Sequence, residues 1–332
     1  MGLERIRDSL EGRQIAIYFG AAAIALGVAL FVPGATMLEA AVNPALAFML
    51  YVTFLQVPLV DLGQALKQTR FMAVLLLSNF VLMPALVFAL AGLLPDEPML
   101  RLGVMLVLLA PCIDYVVTFA HLGRADARAL LASTPVLLLV QMLLLPLYLK
   151  FAFGRDVALY IDAGPFLDAF LWLIAAPLVL AGLTQFLAAR RRGWRRAQQV
   201  FGLAPVPATA LVLFIVIAAV APQLGSAMGA VLLVLPVYLA YAIIAPMCGW
   251  WLARRARLDV PASRAVAFSS ATRNSLVVLP LALSIPGAIP VLPAVIVTQT
   301  LVELLAELVY VRLAARWGAG MAGRADQHLP GD

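Results

Sequence analysis

The chain has 332 residues, of which 64% are hydrophobic and 12% charged, with a formal net charge of +6 and a mean hydropathy of +1.02. A soluble domain is roughly half apolar and about a quarter charged, so this composition excludes an ordinary water-soluble fold. The basic balance would also suit nucleic acid, but no basic stretch is interleaved with base-stacking aromatics, so no nucleic-acid partner is expected and the lipid bilayer is the natural solvent.

Ten apolar runs follow in chain order, over residues 15–32, 40–58, 71–93, 102–122, 129–149, 166–188, 200–220, 228–251, 263–284 and 289–312. A bilayer core needs about 20 such residues per helical crossing. A segment in hydrocarbon must also satisfy its own backbone polar groups, which makes each run a helix. The expected fold is an all-α polytopic membrane protein. The lead-in MGLERIRDSLEGRQ carries acids as well as arginines and no small-residue cleavage signature, so it reads as a cytoplasmic start. With the N-terminus inside, 23 Lys and Arg residues sort cleanly: only Arg101, Lys150 and Arg155 fall outside, and Arg273 lies within a span. That is the positive-inside bias, and it places both termini in the cytoplasm of a cell whose plasma membrane the chain spans.

Ten crossings divide into two sets of five, residues 1–155 and 156–332. An odd number of crossings per half sets the halves in opposite orientations, the arrangement of transporters built from inverted repeats. The fourth run (VLLAPCIDYVVTF) carries a proline and polar groups at mid-depth, and its counterpart, the ninth (FSSATRNSLVVLPLAL), is interrupted in the same way. Broken polar segments at matching positions in two halves are the best sequence pointer to a midplane binding site.

Charges inside spans are costly and mark function by default. Four stand out: Asp114, Arg273, Glu303 and Glu307. Glu303 and Glu307 share one helix face, and two like charges at that spacing in low dielectric do not both ionise easily, which suits a proton carrier. Glu307 could instead reach the interface or pair with a loop arginine. Asp114 and Arg273 sit at corresponding points of the two broken runs, so an ion pair across them is expected, with either a structural or a functional role. Cys112, after Pro111 and beside Asp114, is either a small hydrophobe or a thiol for a soft, thiophilic solute. Cys248 reads as a core residue, and the two cysteines offer no disulfide framework. His121 reads as an interfacial polar residue rather than a ligand. No phosphate-gripping loop, metal-binding cluster or nucleophile–base set appears in the sequence, so neither an enzyme nor a cofactor is expected.

These stretches resemble the bile acid/sodium symporter superfamily and, within it, the arsenite-efflux permeases. APCIDYVVTFAHLGRAD is similar to the permeases' Ala-Pro-Cys stretch with its later Lys/Arg-x-Asp turn, here Arg124 to Asp126. VTQTLVELLAELVYVRL resembles their Leu-Val/Ile-Glu segment, which sets Glu303 on the family's functional glutamate and Cys112 on its functional cysteine. The resemblance implies ten spans in two inverted five-helix repeats with crossing fourth and ninth helices. It departs at the ninth helix: sodium-coupled members carry Glu-x-Gly-x-Gln-Asn, where this chain has SSATRN, with Ser269 for the glutamate, Arg273 for the glutamine and only Asn274 kept. A guanidinium is always protonated and repels a cation, so no sodium or other metal site is expected.

The reading is a secondary transporter that exports trivalent arsenic or a related metalloid in exchange for protons. Cys112, Asp114, Arg273, Asn274 and Glu303 are the expected substrate-binding residues, with Glu303 and Glu307 for the proton, all facing a watery gap at mid-bilayer. The alternative is a sodium-independent organic-anion carrier of the same fold in which Arg273 meets a carboxylate or sulfonate. A membrane receptor or sensor is a third reading, for which the short C-terminal tail offers little. The sequence leaves the oligomeric state open.

Overall fold

The computed structural model describes residues 2–32, 34–56, 68–113, 115–154, 168, 171–223, 225, 227–283, 285, 287–288 and 290–317. Among them every regular element is helical, with one isolated backbone bridge. The first helices are α1 (Gly2–Phe31), which takes in the charged lead-in, and α2 (Glu39–Gln56). The next crossing is α3 (Thr69–Leu77), widened by a π turn at Ser78–Leu82 and continued as α4 (Met83–Ala91). Then come α5 (Pro98–Leu108), α6 (Val116–Leu122) and α7 (Ala127–Phe153).

The second half contains α8 (Ala176–Arg190), preceded by a π turn at Leu171–Ala175, then α9 (Arg192–Phe201) and α10 (Pro205–Val220). It closes with α11 (Met228–Arg255), α12 (Val260–Ala271), α13 (Ser275–Leu283) and α14 (Val291–Ala314). Among the described residues seven helical stretches are long and apolar enough to cross a bilayer, and α9 with α10, bent by 47°, would make an eighth. The difference from ten expected runs has a plain cause. The fourth and ninth runs are each cut into two short helices, α5–α6 and α12–α13, and neither half reaches across alone. The seventh run starts only at Pro205, because the Arg-rich α9 before it has no buried residue and turns away.

The helices pack in two sets. α1 packs on α10, α10 on α2 and α2 on α8, while α11 packs on α12 and α14 and α14 packs on α5 and α13. Outward faces are apolar where a soluble protein would be polar: Leu143 and Phe151 on α7, Trp172, and Ile243 on α11 are mostly exposed. That is the surface expected of helices bathed in lipid. Without a hydrophobic force between helices in lipid, close approach depends on small residues. Gly249 on α11 shows this directly: a Cβ there would lie 2.4 Å from Ser270 Oγ and 3.1 Å from Ala267 Cα on α12. Gly123 does the same service for the Phe268 ring, which would meet an added Cβ at 2.4 Å.

Candidate functional site

The two broken runs meet. Their unwound links, Leu109–Ile113 and Thr272–Asn274, lie antiparallel, and Pro111 and Arg273 form a bridge. The Cys112 N–H donates to the Thr272 carbonyl at 3.1 Å, and the Asn274 N–H donates to the Ala110 carbonyl at 2.7 Å. A helix that stops in hydrocarbon leaves orphan backbone groups, and here each break supplies the partners the other lacks. Proline at 111, which has no N–H to donate, fits the position that needs none.

Around this crossing lie most of the residues singled out in the sequence. Cys112 and Arg273 are fully buried, and Asn274 is 1% exposed. Glu303 on α14, 3% exposed, aims its carboxyl at the break. Its Oε2 accepts from the Arg273 N–H at 2.7 Å and from Gln299 Nε2 at 2.6 Å, while its Oε1 accepts from the Tyr115 hydroxyl at 2.5 Å. Glu307, one turn on, does not reach an interface: it is fully buried and its Oε1 accepts from the Thr272 hydroxyl at 2.5 Å. Among the described residues its Oε2 has no hydrogen-bond partner. Both carboxyls therefore bear on the same three-residue link.

The guanidinium of Arg273 points the other way, toward the π turn at Ser78–Leu82 and the C-terminal ends of α12 and α5. Its Nη2 donates to Asn79 Oδ1 at 3.1 Å, to the Ser269 carbonyl at 2.9 Å and to the Ser270 carbonyl, and Nη1 approaches the Leu108 carbonyl at 3.5 Å. The Tyr241 ring lies 5.5 Å from the guanidinium carbon. Among the described residues no carboxylate is within ion-pair distance of it. Asp114, the expected partner, lies outside the described residues. Among the described residues the Nε of Arg273 and the Nδ2 of Asn274 are buried and have no hydrogen-bond partner.

Several of these partners were not singled out in the sequence. Gln299 sits four residues before Glu303 on one helix face, a spacing that was legible. Tyr115 was visible only as a neighbour of Cys112. Asn79 enters through the π turn of the third crossing, where Nδ2 donates to the Leu75 carbonyl at 3.1 Å and to Ser269 Oγ at 2.9 Å.

Among the described residues, the space found at this place is smaller than the watery gap expected. A cavity of about 10 Å³, the size of one water molecule, is lined by Leu108, Tyr238, Tyr241, Gln299, Glu303 and Tyr310. At the α12 start of the same unit, Arg264 donates to the carbonyls of Arg124 at 3.0 Å, Ala315 at 2.9 Å and Trp317 at 2.6 Å, and Trp317 packs against Trp250 at 5.4 Å. His121, near this end, is exposed.

Similarity to known proteins bears on this geometry. Residues 43–230 match the sodium bile acid symporter family, a stretch that includes the whole of α5, its break and α6. The chain is also 39% identical over 85 residues to the arsenical-resistance protein Acr3 of Corynebacterium glutamicum, a match that covers 25% of this chain and 23% of that protein. Two facing broken helices in an all-helical, multi-pass membrane protein, together with a family match over more than half its length, place this chain in the sodium bile acid symporter family of transporters.

Proposed function

We propose that this chain exports trivalent arsenic across the plasma membrane in exchange for protons, with both termini in the cytoplasm and residues 1–155 and 156–332 as inverted halves. The observation that carries the reading is the placement of a buried thiol, Cys112, in a chain crossing that also presents a backbone N–H to the Glu303 carboxyl. Partial similarity to an arsenical-resistance protein supports the choice of solute.

The chemistry is a reversible ligand exchange. The Cys112 sulfur bonds to the arsenic of arsenous acid, one As–O bond breaks, and the thiol proton leaves with that hydroxyl as water; no electrons change hands. Soft thiolate ligands select soft centres. A lone sulfur ligand holds its cargo weakly enough to release it. Glu303 accepts a proton when the solute leaves, and Glu307, on the same helix face, relays it by way of the Thr272 hydroxyl. Asn274 and Arg273, with Asp114, shape the crossing.

Proteoliposomes loaded with arsenite are the test. Flux should follow an imposed proton gradient, ignore a sodium gradient, and fall to background with Cys112→Ser, a near-isosteric change. Equal flux by that variant removes the thiol from the mechanism. A second reading is favoured by one observation: among the described residues, the buried cation Arg273 has neither a hydrogen-bond partner for its Nε nor a carboxylate partner. A sodium-independent carrier of organic anions would use it to meet a carboxylate or sulfonate. Uptake of labelled organic anions that is lost in Arg273→Gln, with no arsenite flux, would select that reading.

A further inference from the structure

The acceptors around Arg273 form a set of their own. Ser269 and Ser270 lie in the last turn of α12, and Leu108 is the last residue of α5, so three of the four oxygens belong to helix C-termini, the negative ends of helix dipoles. The fourth, Asn79 Oδ1, is turned inward because its Nδ2 is committed to the Leu75 carbonyl and Ser269 Oγ. The set is rigidly backed: Ser270 Oγ lies 2.7 Å from Ser78 Oγ, and the Tyr241 hydroxyl donates to the Ser270 carbonyl at 2.8 Å. Tyr241 also turns its ring face to the charge. Three neutral oxygens meet at Nη2, a fourth lies 3.5 Å from Nη1, and one aromatic face flanks the same guanidinium inside the bundle. Half-helix C-termini and unwound carbonyls are the groups that replace the water shell of a small monovalent cation within a membrane protein.

We propose that this cluster is a monovalent-cation cage whose occupant is the chain's own Arg273 side chain, so that a dissolved sodium or potassium ion is excluded by a tethered one. The guanidinium satisfies the converging dipoles permanently. A shorter neutral side chain would leave the oxygens in place, because they are held by helix ends and by the Ser78 and Tyr241 contacts rather than by the arginine. The vacated cage would then take up a hard monovalent cation, or a small guanidinium ion from solution. The inference is independent of the exported solute, since it is read out by cation binding alone.

The experiment uses the purified full-length chain and follows thermal unfolding while choline chloride is replaced, at constant ionic strength, by sodium, potassium or methylguanidinium chloride. The wild type and Arg273→Lys, which both keep a tethered charge, should show the same midpoint in every salt. Arg273→Gln should show a saturable rise with at least one of the three cations, about 2 °C at ten times its dissociation constant. If Arg273→Gln does not survive extraction in choline, monodisperse protein should be recovered when one of those cations is present throughout, and Arg273→Ala should behave alike. The proposal is overturned if no cation stabilises or recovers either variant, or if the wild type itself gains a saturable response to sodium or potassium.

Discussion

Replacing Glu303 by glutamine and by leucine separates two jobs that its carboxyl does. Three donors converge on it: the Arg273 N–H, Gln299 Nε2 and the Tyr115 hydroxyl. In Glu303→Gln the amide oxygen can take the place of Oε2 and keep the first two donors, while the Tyr115 hydroxyl rotates to accept from the new NH₂. Three hydrogen bonds survive, and the weaker neutral bonds are offset by the removal of a buried charge, so the stability change is about 1 kcal/mol or less. Leucine has a similar volume but no acceptor. Gln299 can turn aside and Tyr115 can lean on the Arg273 carbonyl, 3.4 Å away, but the Arg273 N–H is fixed in the crossing. At about 1–3 kcal/mol for a buried donor left unmet, plus the weakened pair, Glu303→Leu loses roughly 2–3 kcal/mol, or roughly 3–4 °C in unfolding midpoint for a chain of this length. Thermal unfolding of both variants in one detergent, followed by arsenite flux under an imposed pH gradient, gives the comparison. Glutamine should keep the fold and lose the response to the gradient. If it unfolds as early as leucine, the count of donors is wrong; if its flux still tracks the proton gradient, the carboxyl does not carry the proton.

Two further outcomes test the packing around the site. Gly249→Ala sets a Cβ 2.8 Å from Ser270 Cβ and 3.1 Å from Ala267 Cα, so it should destabilise by about 1–3 kcal/mol, and adding Ser270→Gly should recover part of that in thermal unfolding. Arg264→Gln removes the donor shared by the Arg124, Ala315 and Trp317 carbonyls, so amide hydrogen exchange at Arg316 and Trp317 should quicken about tenfold while α1 and α2 stay unchanged. Uniform acceleration through the whole chain would mean that Arg264 sets global stability rather than closing this end.

Hydropathy made the long helices legible, because lipid demands an apolar run and leaves no other solution. The two interruptions were legible for the complementary reason: Pro111 and the SSATRN stretch cannot continue a buried helix without unmet polar groups. Cys112, Arg273, Asn274 and Glu303 could be picked out as costly or reactive side chains at those points, and they are all buried beside the crossing. What hydropathy could not show was length after bending. It joined the two short helices of the fourth and ninth runs end to end, and it began the seventh at residue 200, because Val200 and Phe201 at the end of α9 are apolar and nothing local marks the bend before Pro205. Glu307 was read with an escape to the interface, since nothing local reveals that Thr272 lies opposite it. Asn79 was passed over because a π turn is a tertiary accommodation: its side chain has a purpose only once Ser269 and Arg273 arrive from distant parts of the chain.

The anchoring of Arg273 among helix-end carbonyls also bears on the energetics of a transport cycle. A dissolved cation that is taken up on one side and released on the other harvests the membrane potential, about 2.3 kcal/mol per charge for each 100 mV. A guanidinium fixed to the backbone makes every outward displacement again in reverse, so over a closed cycle the voltage does no net work on it. Whatever drives this carrier uphill must be a species that leaves.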